Sequence, residues 1–331
     1  MAVARIDSAG PHAVVRLEAL GVGMVIADAS PSGGVHAALL GYYISNATLG
    51  FQKVFAIGFP QRTDKLPIRQ PGIEMYIFQA SWDLISDDRI VADRISTALI
   101  LEDDSDWDVT LKSQLVEFAR GARLLQNSGS HDHPSSPYGD NWDMLRSHVR
   151  PAGRKSEFGE PDMTPWKERA NTTRLVYEAN DAVCLNGYAV TYNGARRALA
   201  AMSMAPLNQP VDLGFSDLCR RNAFLNFTCI APHPRLISFS LPADPNVNKA
   251  SDIHKDDSEW HEVSSNGIVY SAIMNVQPRL AGAKTAKAQY EECPRQFISL
   301  NMTDVGRGRL EVIDLPEESG EESSKESEQY G

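Results

Sequence analysis

The chain has 331 residues, 42% of them hydrophobic and 23% charged, the mixture of a globular protein with apolar surface for a sizeable core, which excludes chain-wide disorder. Its formal net charge is -11, but residues from Glu311 onward supply eight acids against one lysine, -7 of that total, and leave -4 for the rest. Nothing basic enough to track a phosphate backbone is left, so nucleic acid is set aside as a main partner.

Residues 1–50 mix alanine, glycine and short apolar runs without a sustained period of 2 or 3.6, and read as an N-terminal extension. The run Val54 to Phe59, bounded by a proline-containing polar turn, predicts the first buried parallel strand. In Ser86 to Ser96, Ile90, Val91 and Ile95 offer one helical face, and TALILEDD, Thr97 to Asp104, predicts a second buried strand with an acidic end. Leu111, Leu115, Phe118, Ala122 and Leu125 predict a helix within Val109 to Leu125. His131 to Gly139 reads as loop, Trp142 to Leu145 as the start of a short strand, and Arg150 to Thr173 as a surface excursion.

Ala182 to Leu199 alternates like strands in its first half, and Asn193-Gly194 punctuates the entry to a helix ending near Met204. Val211 to Phe224 has helical spacing, and FTCIAPHPRLISFS leads into further strands. Alternating strands and helices predict an α/β fold on a mostly parallel sheet flanked by helices. Periodicity fades beyond Ala281, residues 283–331 read as a C-terminal extension, and Pro316 to Gly331 is a Glu/Ser tail of disordered composition.

The chemistry gathers at LEDDSDWDV, Leu101 to Val109, because open α/β sheets bind ligands outside the carboxyl ends of their strands. Strand alternation puts Glu102 and Asp104 on one side and Asp103 on the other. Like charges this close repel unless compensated, and a hard divalent cation bridging a diphosphate is one solution. Two plainer roles compete. The three acids could cap the following helix, at ~0.3–1 kcal/mol each. Asp104, Asp106 and Asp108 also alternate as in a calcium loop, but Val109 and Leu115 stand where such a loop needs glycine and glutamate.

Cys184, Cys219, Cys229 and Cys293 lack the close spacing of zinc or redox motifs, and read as buried thiols ahead of one or two disulfides. Asn-x-Ser/Thr acceptors at Asn46, Asn171, Asn226 and Asn301 suit a secretory lumen, ER or Golgi, although no signal peptide or uninterrupted apolar span can be read, and a cytoplasmic location is the alternative. His131, Asp132 and His133, and separately His233 and His254, are conceivable metal ligands that read first as solvated or isolated histidines. Trp82, Trp142, Trp166 and Trp260 suit sugar stacking, and equally suit core or rim packing.

PQRTDK (Pro60 to Lys65), ALILEDDSDWDV (Ala98 to Val109), YGDNWDML (Tyr138 to Leu145), CLNGYAVTYNGARRAL (Cys184 to Leu199) and PVDLGFSDLC (Pro210 to Cys219) in this order resemble the fungal branch of glycosyltransferase family 25. That family includes lipopolysaccharide glycosyltransferases and collagen galactosyltransferases. The resemblance covers most of residues 51–282 and implies a GT-A type, Rossmann-like fold, a nucleotide-sugar donor such as a UDP-sugar, and a divalent metal, manganese or magnesium. It implies transfer of a hexosyl group, galactose at the family level, to a glycan or protein hydroxyl, with inversion; membrane association is common among relatives.

Carried over by position, Arg62, Thr63 and Asp64 match the strand-end motif near the nucleotide, and Glu102, Asp103 and Asp104 the acidic motif, with Asp104 the first metal ligand and Glu102 the second. Asp212 and Asp217 match the segment that would supply a general base, and Asn186, Gly187 and Tyr188 the border of the acceptor site. The chain departs from the family at Lys65 to Ala98, too short for the donor-pocket strand and helix expected there, at Lys65-Leu66-Pro67 in place of Arg-Arg, and at LRSHVRPAG after the Trp-Asp motif. A catalytically silent carbohydrate-binding or scaffold protein, and a metal-dependent phosphoesterase, are the alternatives.

Overall fold

A computed structural model of the protein describes residues 13–18, 44, 46–58, 76–79, 85–126, 134–146, 173–179, 185–204, 210–220, 226–233, 235–241, 264–265, 267–291, 293, 295–300 and 309–314. In chain order the elements are β1 (Ala13–Glu18), β2 (Lys53–Gly58), β3 (Tyr76–Gln79), α1 (Ile85–Ala92), β4 (Thr97–Glu102), β5 (Ser105–Trp107), α2 (Leu111–Leu125), β6 (Met144–Arg146), β7 (Thr173–Glu178) and β8 (Gly187–Thr191). They continue as α3 (Tyr192–Met204), α4 (Val211–Cys219), β9 (Cys229–His233), β10 (Ile237–Leu241), β11 (Ser264–Ser265), α5 (Val276–Leu280), β12 (Thr285–Lys287), β13 (Phe297–Ser299) and β14 (Arg309–Asp314).

The α/β class holds, but the sheet is mixed. Among the described residues its nine strands run β14-β1-β7-β9-β6-β8-β4-β2-β3, and of these only β2 with β3, β2 with β4, and β6 with β9 pair in parallel. The expectation of a mostly parallel sheet is thereby corrected. Strands buried on both faces are apolar in either orientation, so their composition carries no sign of direction.

The sheet also draws on both ends of the chain. β1, from the segment without readable period, lies between β14 and β7 and is antiparallel to both, so β2 is not the first strand. β14 comes from the C-terminal extension, which contributes a strand to the sheet as well as the tail; residues 315–331 lie outside the described residues. Lys65 to Ala98, expected to be too short for a further strand and helix, accommodates β3 and α1.

Strand alternation sorts the core into two layers. Val54, Leu99, Leu145, Ala189, Ile230 and Val176 pack with Leu111, Leu115, Phe118 and Ala122 of α2. Phe55, Ile100, Met144, Tyr188, Ala231 and Tyr177 pack with Ile90 of α1, Ala195, Ala198 and Met202 of α3, and Phe215 and Leu218 of α4. Each fully buried large aliphatic or aromatic side chain contributes ~1.5–3 kcal/mol relative to exposure, which is why the stripe read from Leu111 to Leu125 becomes a helix lying on the sheet. Gly121 permits its approach to β7, since a Cβ there would stand 2.8 Å from Val176 Cγ2.

Cys219, the last residue of α4, is joined to Cys229, the first of β9. For this pair the preference for buried thiols is corrected: helix end and strand start bring the two Cα atoms within 5.5 Å, inside disulfide reach. Among the described residues Cys293 is a free thiol; Cys184 lies outside them.

Asn193-Gly194, read as the punctuation before a helix, lies inside the first turn of α3. Glycine is required there by a close approach: a Cβ at 194 would stand 2.2 Å from the Asp143 carbonyl oxygen, a backbone atom. Alanine would raise helix propensity by ~1 kcal/mol, against ~1–3 kcal/mol for forcing volume into a packed site. Gly194→Ala is therefore expected to lower the urea or thermal midpoint; an unchanged or raised midpoint would show that α3 can shift away from β6.

Candidate functional site

β2, β3 and β4 run in parallel and end together, with Gly58 next to Gln79 in register and Ile57 next to Glu102. β8 runs the other way, so its start lies at the end of β4, where Leu101 pairs with Gly187 and Asn186 follows opposite Glu102. The expected acidic end of the second strand is therefore a turn at the carboxyl edge of a parallel triplet, where side chains from several strands can meet one ligand.

The turn does not lead straight into a helix. After Glu102, residues Asp103 and Asp104 turn the chain into β5, which pairs antiparallel with β10. Its backbone is held at several points. Glu102 N–H donates to the Asn186 carbonyl at 3.1 Å, the Ser105 hydroxyl donates to the same oxygen, and Ser240 N–H donates to the Asp104 carbonyl at 2.8 Å. Gly187 makes this possible, because a Cβ there would stand 2.9 Å from Ile237 Cγ2 and 3.2 Å from Leu101 Cδ2.

The acids then separate by face. Glu102 lies two residues beyond Ile100, on the side of α1, α3 and α4, and its Oε2 accepts from Asn186 Nδ2 at 3.2 Å. Asp103 stands over the end of β2: a Cβ added to Gly58 would be 3.0 Å from Asp103 Cβ and 3.1 Å from its Oδ2. Their divergence agrees with the expected strand alternation. Asp104 Oδ1 is buried.

Asp106 and Asp108 have other work. Asp106 is 0% exposed; its carboxylate accepts from the hydroxyls of Ser265 and Ser271 and from Ile273 N–H at 3.1 Å. Asp108 accepts from Thr110 N–H at 2.9 Å, Thr110 Oγ1 at 2.6 Å and Tyr270 N–H at 3.2 Å. The capping role considered for Glu102 to Asp104 is not taken up: the N-cap of α2 is Thr110, without a side-chain cap hydrogen bond, and Asp108 holds the turn before it; the Asp104, Asp106, Asp108 alternation serves a turn and two structural anchors, not a calcium loop.

Asp212 lies in the first turn of α4, a favourable place for a carboxylate, and accepts from Leu213 N–H at 2.9 Å. Three residues on, Phe215 packs against Tyr188 with ring centroids 5.5 Å apart, so α4 lies over the start of β8. Asp217 is exposed and pairs with Arg220 at 3.3 Å. Arg62, Thr63, Asp64, His131, Asp132, His133, His254, Trp82, Trp166 and Trp260 lie outside the described residues. His233 ends β9, three strand spacings or ~14 Å of backbone from β4, too far to share an ion directly with Glu102. Trp142 is buried in the core and donates from Nε1 to the Gly139 carbonyl.

One residue had been passed over. Arg146, 2% exposed, is in register with Tyr188 and brings a guanidinium to the Glu102 face of the sheet; an arginine closing an apolar strand was the available signal. Asn186, carried over as part of the acceptor-site border and equally readable as part of a turn, is 8% exposed, and among the described residues its Oδ1 is a buried acceptor that receives no hydrogen bond.

Among the described residues no three histidine, cysteine, aspartate or glutamate side chains form a metal-holding group. A magnesium-type ion needs only one or two carboxylates when water and substrate phosphates complete its shell. The turn has as many carboxylates as such a shared ion needs, and among the described residues they form no closed protein cage. No protein-family model matches the chain, and no curated protein matches it in sequence.

The Trp-Asp motif lies at the opposite, amino end of β6. Asp143 accepts from Arg197 Nη1 at 2.9 and 2.8 Å and from Thr228 N–H at 2.9 Å. Burial raises its pKa, outweighing the lowering by Thr228 and Arg197. The folded protein thus holds this proton more tightly than the unfolded chain, and the stability it confers is present at low pH and lost as pH rises through the raised value. Relative to Asp143→Asn, the wild type is expected to gain stability as pH falls from about 7 towards the ordinary carboxylate range near about 4. A difference independent of pH, measured by urea denaturation, would contradict this.

Proposed function

We propose that the protein is a metal-assisted glycosyltransferase that moves a hexosyl group from a nucleotide sugar to a hydroxyl acceptor. The observation that carries this reading is the meeting of the Glu102 to Asp104 turn with Gly58 at the carboxyl edge of β2 and β4. It is supported further by the family resemblance and by the partial burial of all three acids, which strengthens their electrostatics relative to bulk water. A GT-A type arrangement is the finer fold reading that accompanies it.

In this scheme Asp104, with Glu102, would hold manganese or magnesium, which when bound supplies charge neutralisation at the departing diphosphate. By the resemblance, Arg62, Thr63, Asp64 and Asp103 would serve the nucleotide. The acceptor oxygen forms a bond to the anomeric carbon as the bond from that carbon to the diphosphate oxygen breaks; the electron pair leaves with the nucleoside diphosphate, and the acceptor proton passes to Asp212, with Asp217 the second candidate. A glycan or a protein hydroxyl is the acceptor, and galactose the first sugar to try.

The competing reading, a silent carbohydrate-binding or scaffold protein, is favoured by the divergence of Glu102 and Asp103 to opposite faces. Incubation with UDP-galactose and manganese separates the readings. Transfer or donor hydrolysis that falls by about 10²–10³ in Asp104→Ala, the scale of removing one charge-stabilising group, supports the enzyme. Sugar binding indifferent to metal and to Asp104→Ala supports the silent module, and turnover of phosphate esters without sugar transfer supports a phosphoesterase.

We place the protein in a secretory compartment. This is supported by the Cys219–Cys229 bond and by the exposed Asn226 of the Asn226-Phe227-Thr228 acceptor between those cysteines. No helix among the described residues is long and apolar enough to cross a membrane. Protein from a secretory host is expected to carry an amidase-sensitive glycan that Asn226→Gln removes; an unglycosylated Asn226 would count against this placement.

A further inference from the structure

The geometry points to Asn186 as a ligand-contacting residue that accepts a hydrogen bond from a sugar hydroxyl of the nucleotide sugar, and that also positions Glu102. This inference rests on the glycosyltransferase reading and adds a residue and a ligand group to it.

Three observations meet at this residue. Its backbone is fixed from both sides of the acidic turn, by Glu102 N–H at 3.1 Å and by the Ser105 hydroxyl. Its side-chain orientation is decided by chemistry, because Glu102 Oε2, 3.2 Å away, is an acceptor and requires the amide nitrogen to face it. The amide oxygen must then point elsewhere. The residue is 8% exposed, its amide oxygen is buried, and among the described residues no hydrogen bond reaches that oxygen. Buried polar atoms are nearly always satisfied, and an exception at a candidate site calls for a ligand or an ordered water.

The missing partner is a donor or a cation. A cation here would have one neighbouring carboxylate already engaged by the amide nitrogen, and among the described residues no group of three metal-binding side chains surrounds it. A hydroxyl needs only the single acceptor. A nucleotide sugar offers hydroxyls from two sources, ribose and hexose, and either satisfies the same oxygen. A site built to hydrogen-bond a hydroxyl also rejects analogues lacking it, because the protein atom is left unpaired.

The test is calorimetric titration of the full chain and of Asn186→Ala with UDP, 2′-deoxy-UDP and UDP-galactose, each with and without manganese. The wild type is expected to bind UDP-galactose about fivefold more tightly than the variant, the scale of one hydrogen bond. If ribose is the donor, the wild type prefers UDP over 2′-deoxy-UDP and the variant does not; if the hexose is, the variant loses the advantage of UDP-galactose over UDP. Equal affinities in both proteins overturn the inference and leave the glycosyltransferase reading standing, as does an equal loss for all three probes, which would leave Asn186 with the positioning of Glu102 alone. A wild type blind to all three probes overturns both. Should the variant fail to fold, the Asn186 side-chain amide signals of ¹⁵N-labelled wild type must shift on saturation with UDP-galactose; signals that do not move overturn the inference equally.

Discussion

A single acceptor, the backbone carbonyl of Asn186, holds the acidic turn from both ends, taking one hydrogen bond from Glu102 N–H and one from the Ser105 hydroxyl. The rest of the edge follows from that. β8 must start close against β4, which Gly187 alone allows between Leu101 and Ile237. The chain must then leave β4 through two residues, and β5 must continue at an angle that lets it pair with β10. Three carboxylates in a row would otherwise repel, by ~3 kcal/mol for two charges ~5 Å apart at an effective dielectric constant of ~20. Fixing the turn directs Glu102 and Asp103 to opposite faces, and so separates charges that the sequence places side by side.

The same run of acids divides by function along its length. Glu102, Asp103 and Asp104 stand at the open edge, whereas Asp106 and Asp108 are consumed by the segment from Ser265 to Ile273. Charge-assisted bonds from hydroxyls and backbone amides are strong enough to help hold a buried carboxylate in place. These two acids therefore act as anchors that draw the C-terminal segment onto β5. The outer acids gain a rigid support directly behind them, which a site of this kind needs if its geometry is to be kept within a fraction of an ångström.

How far the sequence could carry this is instructive at particular residues. The runs at Val54, Thr97 and Leu111 became β2, β4 and α2 because their signals are local: apolar continuity for a buried strand and a 3.6-residue stripe for a helix. α3 and α4 followed the same logic. β1 and β14 were illegible because AVVRLE and RLEVID are made strands by each other and by β7, across nearly the whole chain. Strand direction left no mark in composition, and the Cys219–Cys229 bond depended on a meeting of helix end and strand start. The acidic end of β4 could be located in sequence, and Asn186 was placed at a site border by resemblance alone; Asp106 and Asp108 could not be assigned, since what distinguishes an anchor from a ligand is which donors fold onto it.

The two ends of the sheet give the strongest argument about where a ligand belongs. At the amino end of β6, Asp143 has its carboxylate filled by Arg197 and Thr228, its carbonyl taken by Thr191 N–H, and Gly194 packed so closely that not even a methyl group fits. The acceptors of Asp143 are thus all engaged by described residues. At the carboxyl end of β4 the backbone is equally well held, but a buried amide oxygen has no donor among the described residues, and acids lie on both faces of the turn. A folded chain that satisfies one node completely could have satisfied the other with a single serine or backbone amide. The unmet demand at Asn186 is therefore best understood as a place kept for a molecule that arrives with its own hydroxyl.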